Sequence, residues 1–238
     1  MAISVAYLMN IFIPKSGEFS RALILDKYEG VPFQKGFGTI ISERIVDLLF
    51  LFLFTVIALS LKFDVLYEII MDLLPPYAIY LLLLGMVAGG IAVLVFLKFS
   101  KSNINRKFKN FIFGLKDGIF SIIRMRKKAS FIVQSLIIWG LYLLSFYFAL
   151  QSLPETSIIP IGTVIITFVV GSFTFAFTNS GFGTYPAAIA GILAIFGVAK
   201  TAGVAFGWIA WVSNISVIIL IGVISLIILP IFNRKNKI

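Results

Sequence analysis

Residues 156–199 read TSIIPIGTVIITFVVGSFTFAFTNSGFGTYPAAIAGILAIFGVA, a run of 44 residues without a single Asp, Glu, Lys or Arg. A bilayer core asks for about 20 apolar residues per helix, so this run holds more than one helix, with the turn-rich TNSGFGTYP at 178–186 breaking it. Further uncharged runs occupy 73–97, 129–154 and 201–233. Inside lipid every backbone amide must be satisfied within the chain, which only helices and closed barrels achieve. These runs are too long and too evenly apolar for alternating barrel strands. The sequence therefore predicts an all-α, polytopic transmembrane helix bundle with broken or re-entrant helices.

Composition agrees. Of 238 residues 60% are hydrophobic and the mean hydropathy is +1.07, far above the roughly 45–50% apolar content of soluble domains. Cysteine and histidine are absent, which removes disulfides, thiol nucleophiles, imidazole bases and ordinary zinc sites. The formal charge is +10, but ten of the 20 basic residues lie between Lys98 and Lys128, between two apolar runs. Such clusters mark the cytoplasmic face and its anionic lipids, so nucleic acid is not the expected partner. Within 98–128, Phe108, Phe111, Ile112, Leu115, Ile119 and Ile122 recur at helical spacing among Arg106, Lys107, Lys109 and Lys116. That is the pattern of an interfacial amphipathic helix, which either reads lipid or merely separates two spans.

About six spans are expected within one transmembrane domain, 1–238. They are Ile45–Leu61, Pro76–Leu97, Phe131–Leu150, Ile158–Phe177, the short Ala187–Val198 and Val204–Leu229. The N-terminal MAISVAYLMNIFIP is too short to span, and residues 14–36 read as a polar connector. With the basic segment and the tail Arg234, Lys235, Lys237 in the cytoplasm, the acidic stretch 62–72 and the loop at Glu155 fall outside the cell membrane. This count closes if Ala187–Val198 crosses; a re-entrant segment there conflicts with a cytoplasmic tail.

Three clusters carry polar chemistry. The first contains Asn10, Pro14, Gly17, Glu18 and Arg21, an apolar stretch broken by Pro and Gly. Charges this close to hydrocarbon are costly and tend to be functional; the plainer reading is a Glu18–Arg21 pair at the membrane surface. The second, Glu43, Arg44 and Asp47, is either an interfacial collar or a buried network tying its helix to the Gly17 region. The third, with Asn179, Ser180, Gly181 and Gly183, is either a turn or polar backbone lining a cavity. Broken helices in two halves of a transporter commonly meet near the midplane, and the Pro14/Gly17 and Gly181/Gly183 breaks form such a pair. Gly181-Phe182-Gly183 is too little for an ion filter, and Asp64, Glu68 and Asp72 are explained by a solvated acidic face. No catalytic residue, metal ligand or cofactor is assigned.

The pattern N-x3-P-x2-GE-x2-R, followed by ER-x2-D, resembles the lysylphosphatidylglycerol synthase transmembrane-region family of flippase-like membrane proteins, and Gly181 and Gly183 match its G-x-G loop. The resemblance runs over nearly the whole chain. It implies binding of a membrane lipid or lipid-linked substrate with a polar, phosphate-containing headgroup, and its movement between leaflets. On that reading Arg21 and Arg44 attract a phosphate, while Glu18, Glu43 and Asp47 hold the arginines or exchange protons. Three departures stand out. Family proteins usually carry about two more spans ahead of the first motif, so the chain is expected to be incomplete at its N-terminus. Pro186 stands where the family has Glu. The soluble aminoacyl-transferase domain has no room here, so the synthase reaction is not carried over. Two other functions fit the composition: a glycosyl- or phosphotransferase acting on a polyprenyl-phosphate, with Asp64, Glu68 or Glu18 as acid, and a non-catalytic subunit of a membrane complex.

Overall fold

The computed structural model describes residues 1–64 and 127–233, with positions 67, 77, 80, 81, 84, 85, 88 and 89. The expected span Pro76–Leu97 and the amphipathic segment 98–128 fall for most of their length outside the described residues, as do Glu68, Asp72 and the basic tail. The described residues form α1 (Ala2–Phe12), α2 (Gly17–Glu29), α3 (Phe33–Leu61), α4 (Lys128–Leu150), α5 (Pro154–Ser157), α6 (Ile161–Phe177), α7 (Thr184–Ile195) and α8 (Lys200–Phe232). None of them is in a strand, and the all-α expectation holds. Among them, α3, α4 and α8 are long and apolar enough to cross a membrane.

The polar connector expected at 14–36 is instead mostly helix, and α3 begins well before Ile45. Two local signals explain this. Gly30 closes α2 in the left-handed conformation (φ 65°), its amide returning to the Leu25 carbonyl together with the Val31 amide at 3.3 Å, so a glycine ends the helix as is usual. Pro32, whose fixed φ suits a helix entrance, then leads straight into α3. In consequence Glu43, Arg44 and Asp47 do not sit at a helix start. Asp47 lies midway between Phe33 and Leu61.

The shorter helices fold back in pairs. In the first hairpin α2 returns along α1, so tightly that a Cβ on Gly17 would strike the Ala6 carbonyl and Asn10. In the second α7 returns along α6, where Gly171 meets Tyr185 and Ile189. Small residues let helix backbones approach in this way where lipid offers no hydrophobic drive. Each hairpin then packs against two long helices. Leu25 meets Gly36 and Arg21 meets Glu43, so α2 runs opposite to α3. Gly207 packs on Pro186 and Gly203 on Ala190, so α7 runs opposite to α8. The first arm of each hairpin crosses to the other unit's long helix. Ser4 and Leu8 of α1 meet Gly222 of α8, while Phe168 of α6 meets Phe54 and Gly162 meets Leu61 and Lys62, at the far end of α3.

Following these directions, α1 is parallel to α3, α6 is parallel to α8, and α3 is antiparallel to α8. The units α1–α2–α3 and α6–α7–α8 are therefore an inverted repeat, each a hairpin of half-length helices followed by a long one. Helix α6 is roughly 25 Å and α7 roughly 18 Å long at 1.5 Å per residue, both short of a hydrocarbon core of about 30 Å. The sequence left open whether Ala187–Val198 crosses or re-enters, and here α6 and α7 fold back on each other as one hairpin of short helices. With the chain folded back in this way, α8 runs toward the end of the bundle at which α4 begins.

The core lies where α3, α4, α6, α7 and α8 converge. Trp139 of α4 meets Phe168 edge-on and Phe146 meets it at a tilt, and Phe146 also meets Phe206. Leu150, Ile189, Leu193 and Phe206 are fully enclosed. Such aromatic pairs add roughly 0.5–1.5 kcal/mol beyond their burial, and they fix α4 against the repeat.

Candidate functional site

The first hairpin and α3 bring Asn10, Gly17, Glu18, Arg21 and Arg44 around one small cleft of about 20 Å³, and Glu43 and Asp47 hold its two arginines from behind. Its floor is the turn from α1 to α2, where Asn10 Oδ1 accepts the Gly17 amide at 2.7 Å, satisfying a donor that a helix start leaves open. Pro14 lies in the exposed turn and does not line the cleft. Around the floor stand Tyr7, Glu18, Arg21 and Arg44, with Ile3, Ala6 and Ile40 as apolar walls.

Arg21 does not pair with Glu18, as the surface reading proposed. It reaches α3 and grips Glu43 with both terminal nitrogens, Nη2 to Oε1 at 2.9 Å and Nη1 to Oε2. Two parallel bonds of this kind are the strong form of an arginine–carboxylate contact. Arg44 pairs with Asp47 at 3.3 Å along α3, and the Trp139 indole donates to Asp47 Oδ1 at 3.4 Å. Tyr7 interacts with Arg44 and with Tyr142. The second cluster is thus a network tying α1, α2, α3 and α4 together, rather than a collar.

Glu18 is the exception. Its Oε2 is buried and accepts no hydrogen bond from any described residue. Among the described residues three carboxylates and two guanidinium groups meet here: Arg21 is taken up by Glu43 and Arg44 by Asp47, so Glu18 shares Arg44 only through space and has no hydrogen-bonded cation of its own. A buried polar atom left without a hydrogen bond is costly.

The third cluster forms the tip of the second hairpin and does not line this cleft. Ser180 (φ 52°), Gly181 (φ 71°) and Gly183 (φ 68°) all take the left-handed region, and a Cβ on Gly181 would lie 2.9 Å from Tyr185 Cβ. The turn is pinned by the Trp211 indole donating to the Ser180 carbonyl at 2.8 Å and by Thr178 and Thr184 hydroxyls 3.1 Å apart. Asn179 supplies its carbonyl to the Phe182 amide at 3.3 Å. What joins the clusters is the seam between hairpin tips. Ser180 Oγ donates to the Asn10 carbonyl at 3.4 Å, and Lys15 Nζ donates to the Ala176 carbonyl at 2.8 Å.

Sequence reasoning passed over Lys15, Tyr7, Trp139 and Tyr142. Tyr7 was legible in principle, since it lies one turn before Asn10 on the same helix face. Lys15, a lone cation inside an apolar stretch, carried the same signal as Glu18. Trp139 lies 92 residues from Asp47 and Tyr142 lies 135 from Tyr7 (142 less 7), and nothing local announces them.

The family model described as "Lysylphosphatidylglycerol synthase TM region" matches residues 1–222. No curated protein and no solved structure matches the chain.

Proposed function

We propose, from the premise that this chain belongs to the lysylphosphatidylglycerol synthase TM-region family, that it receives the polar, phosphate-containing headgroup of a membrane lipid in the Glu18 cleft and carries it between leaflets. Membership makes it an integral membrane protein of lipid-related function; the headgroup and its movement are the step taken here.

The observation that carries the proposal is the buried Glu18 carboxyl oxygen without a hydrogen-bond partner among the described residues, at a small cleft between two short helices and α3, which is long enough to cross a bilayer. Unaided, a headgroup crossing hydrocarbon loses its hydration at a cost of many kcal/mol. Fixed dipoles and counter-charges in the cleft take the place of that water. Arg21 and Arg44 are held by Glu43 and Asp47, but a guanidinium has five N–H donors, and the bidentate pair uses two of Arg21's. The remainder, with their charge, suit phosphate oxygens. Glu18 suits the hydroxyl or ammonium end of the same headgroup. The end of the bundle bearing Lys128 is assigned to the cytoplasm, where the basic segment would meet anionic lipids.

The test is leaflet-to-leaflet transfer of labelled phospholipids in proteoliposomes. Removing a charge-assisted contact costs about 1.5–3 kcal/mol, so Glu18→Gln and Arg21→Ala are each expected to slow transfer about tenfold or more. Transfer by both variants at the parent rate, for every phospholipid class tried, would overturn the assignment of the cleft.

A further inference from the structure

The two hairpins are related in more than order. Lys15 and Ser180 are the two non-glycine residues with positive φ among the described residues, and each sits at its hairpin's tip. Each donates to a carbonyl at the C-terminal end of the other hairpin's first arm, Lys15 to Ala176 and Ser180 to Asn10. The seam is thus a reciprocal pair of single hydrogen bonds, and it lies where two half-length elements from opposite ends of the bundle touch.

On either side of the seam the packing differs. Toward the first hairpin's end lies the cleft, lined by α1, α2 and α3 from Gly17 at the tip out to the half-exposed Ile3. Toward the second hairpin's end the path is filled. Tyr185, Ile189 and Leu193 of α7 are buried with Val164 and Phe168 of α6. Among the described residues a cleft of about 20 Å³ is left on one side of the middle and none of that kind among the buried side chains on the other, although the two halves share one plan. Inverted repeats of this kind give each half access to the other's conformation, with the site between them exposed to one side at a time.

We infer that the chain works as a two-state carrier: the hairpins are inverted gates of one pathway, and parting and re-forming of the Lys15–Ala176 and Ser180–Asn10 seam exchanges which side reaches the Glu18 cleft. The inference rests on the proposed function for its cargo, though not for its test. A permanently open groove, the alternative, would need no seam and no closed half.

The chain has no cysteine, so introduced thiols report without background. Tyr7→Cys places one in the cleft. In vesicles holding the full chain, a membrane-impermeant maleimide is expected to label it from the Lys128 side, with labelling from the opposite side rising about tenfold once Lys15→Met and Ser180→Ala weaken the seam. Lys15→Arg, which keeps the donor, is expected to return the parent pattern. Equal labelling from the opposite side with and without the seam would overturn the inference, whatever the lipid. In a second arm, Lys15→Cys and Ala176→Cys are joined by a short cleavable reagent. Lipid transfer is expected to fall about tenfold on joining and recover on cleavage, while lipid bound per chain stays unchanged. Transfer unaffected by joining would contradict the gate. Absence of transfer even before joining would count against the proposed function, and the labelling arm would then decide the inference alone.

Discussion

The first and second hairpins share a plan and differ in charge. The shift that carries Lys15 onto Ser180 carries Ala6 onto Gly171, so small residues open both hairpins at matching places. The same shift carries Glu18 onto Gly183, Arg21 onto Pro186, Glu43 onto Trp208, Arg44 onto Ile209 and Asp47 onto Val212. Each of these charged positions in the first unit has an uncharged counterpart in the second. Where Arg21 bridges to Glu43, Pro186 packs on Gly207 beside Trp208. One hairpin is held to its long helix by ions and the other by close backbone contact. The lesson is that the fold does not need the charges, because the second unit forms without them. Their presence in the first is what the proposed headgroup site would call for, since these part-exposed pairs add little stability of their own.

The two hairpins should diverge most when one ion of the bridge is left unpaired, a loss that the second has no means to suffer. Arg21→Met strands the Glu43 carboxylate, and the loss of stability in detergent is expected to be about 3 kcal/mol, read as a fall in thermal midpoint. Adding Glu43→Leu is expected to recover most of the midpoint while lipid transfer stays lost. Stability lost and regained together with transfer would mean the charges serve only the fold.

Close packing gives the next effect. Gly17→Ala drives a methyl into the Ala6 carbonyl and Asn10, and overpacking of this kind costs about 1–3 kcal/mol. Gly183→Ala is strained by its positive φ but meets nothing within 4 Å, so it should cost only about 1 kcal/mol. Thermal melts of the two variants side by side check the order, and the reverse order would refute the fold-back at Gly17. Smallest is Trp211→Phe. It removes the indole bond to the Ser180 carbonyl at about 1 kcal/mol and should leave lipid binding in the first hairpin's cleft unchanged.

How much of this was legible follows from what each signal depends on. Uncharged length announced the helical bundle, and α4 falls almost where Phe131–Leu150 was expected. The two breaks were visible because Pro14, Gly17, Gly181 and Gly183 interrupt apolar runs. Helix α2 was missed because GEFSRALILDKYE presents no single apolar face. With it went the true start of α3, so Glu43, Arg44 and Asp47 were read at a helix mouth instead of its middle. Whether Ala187–Val198 crosses or folds back stayed open because length alone does not distinguish a short span from half of a fold-back. Arg21's partner was ambiguous for a physical reason: Glu18 is near in sequence, but Glu43 comes within reach only once α2 folds along α3.

The central claim is that the headgroup is received by the charged hairpin and not by its uncharged twin. The most direct measurement is the fraction of purified chain carrying phospholipid, read by native mass spectrometry, for Glu18→Gln beside Trp208→Phe, which alters the position equivalent to Glu43. An occupancy reduced about tenfold in Glu18→Gln and unchanged in Trp208→Phe is the result predicted. Equal occupancy in the two, or a loss confined to Trp208→Phe, would contradict it.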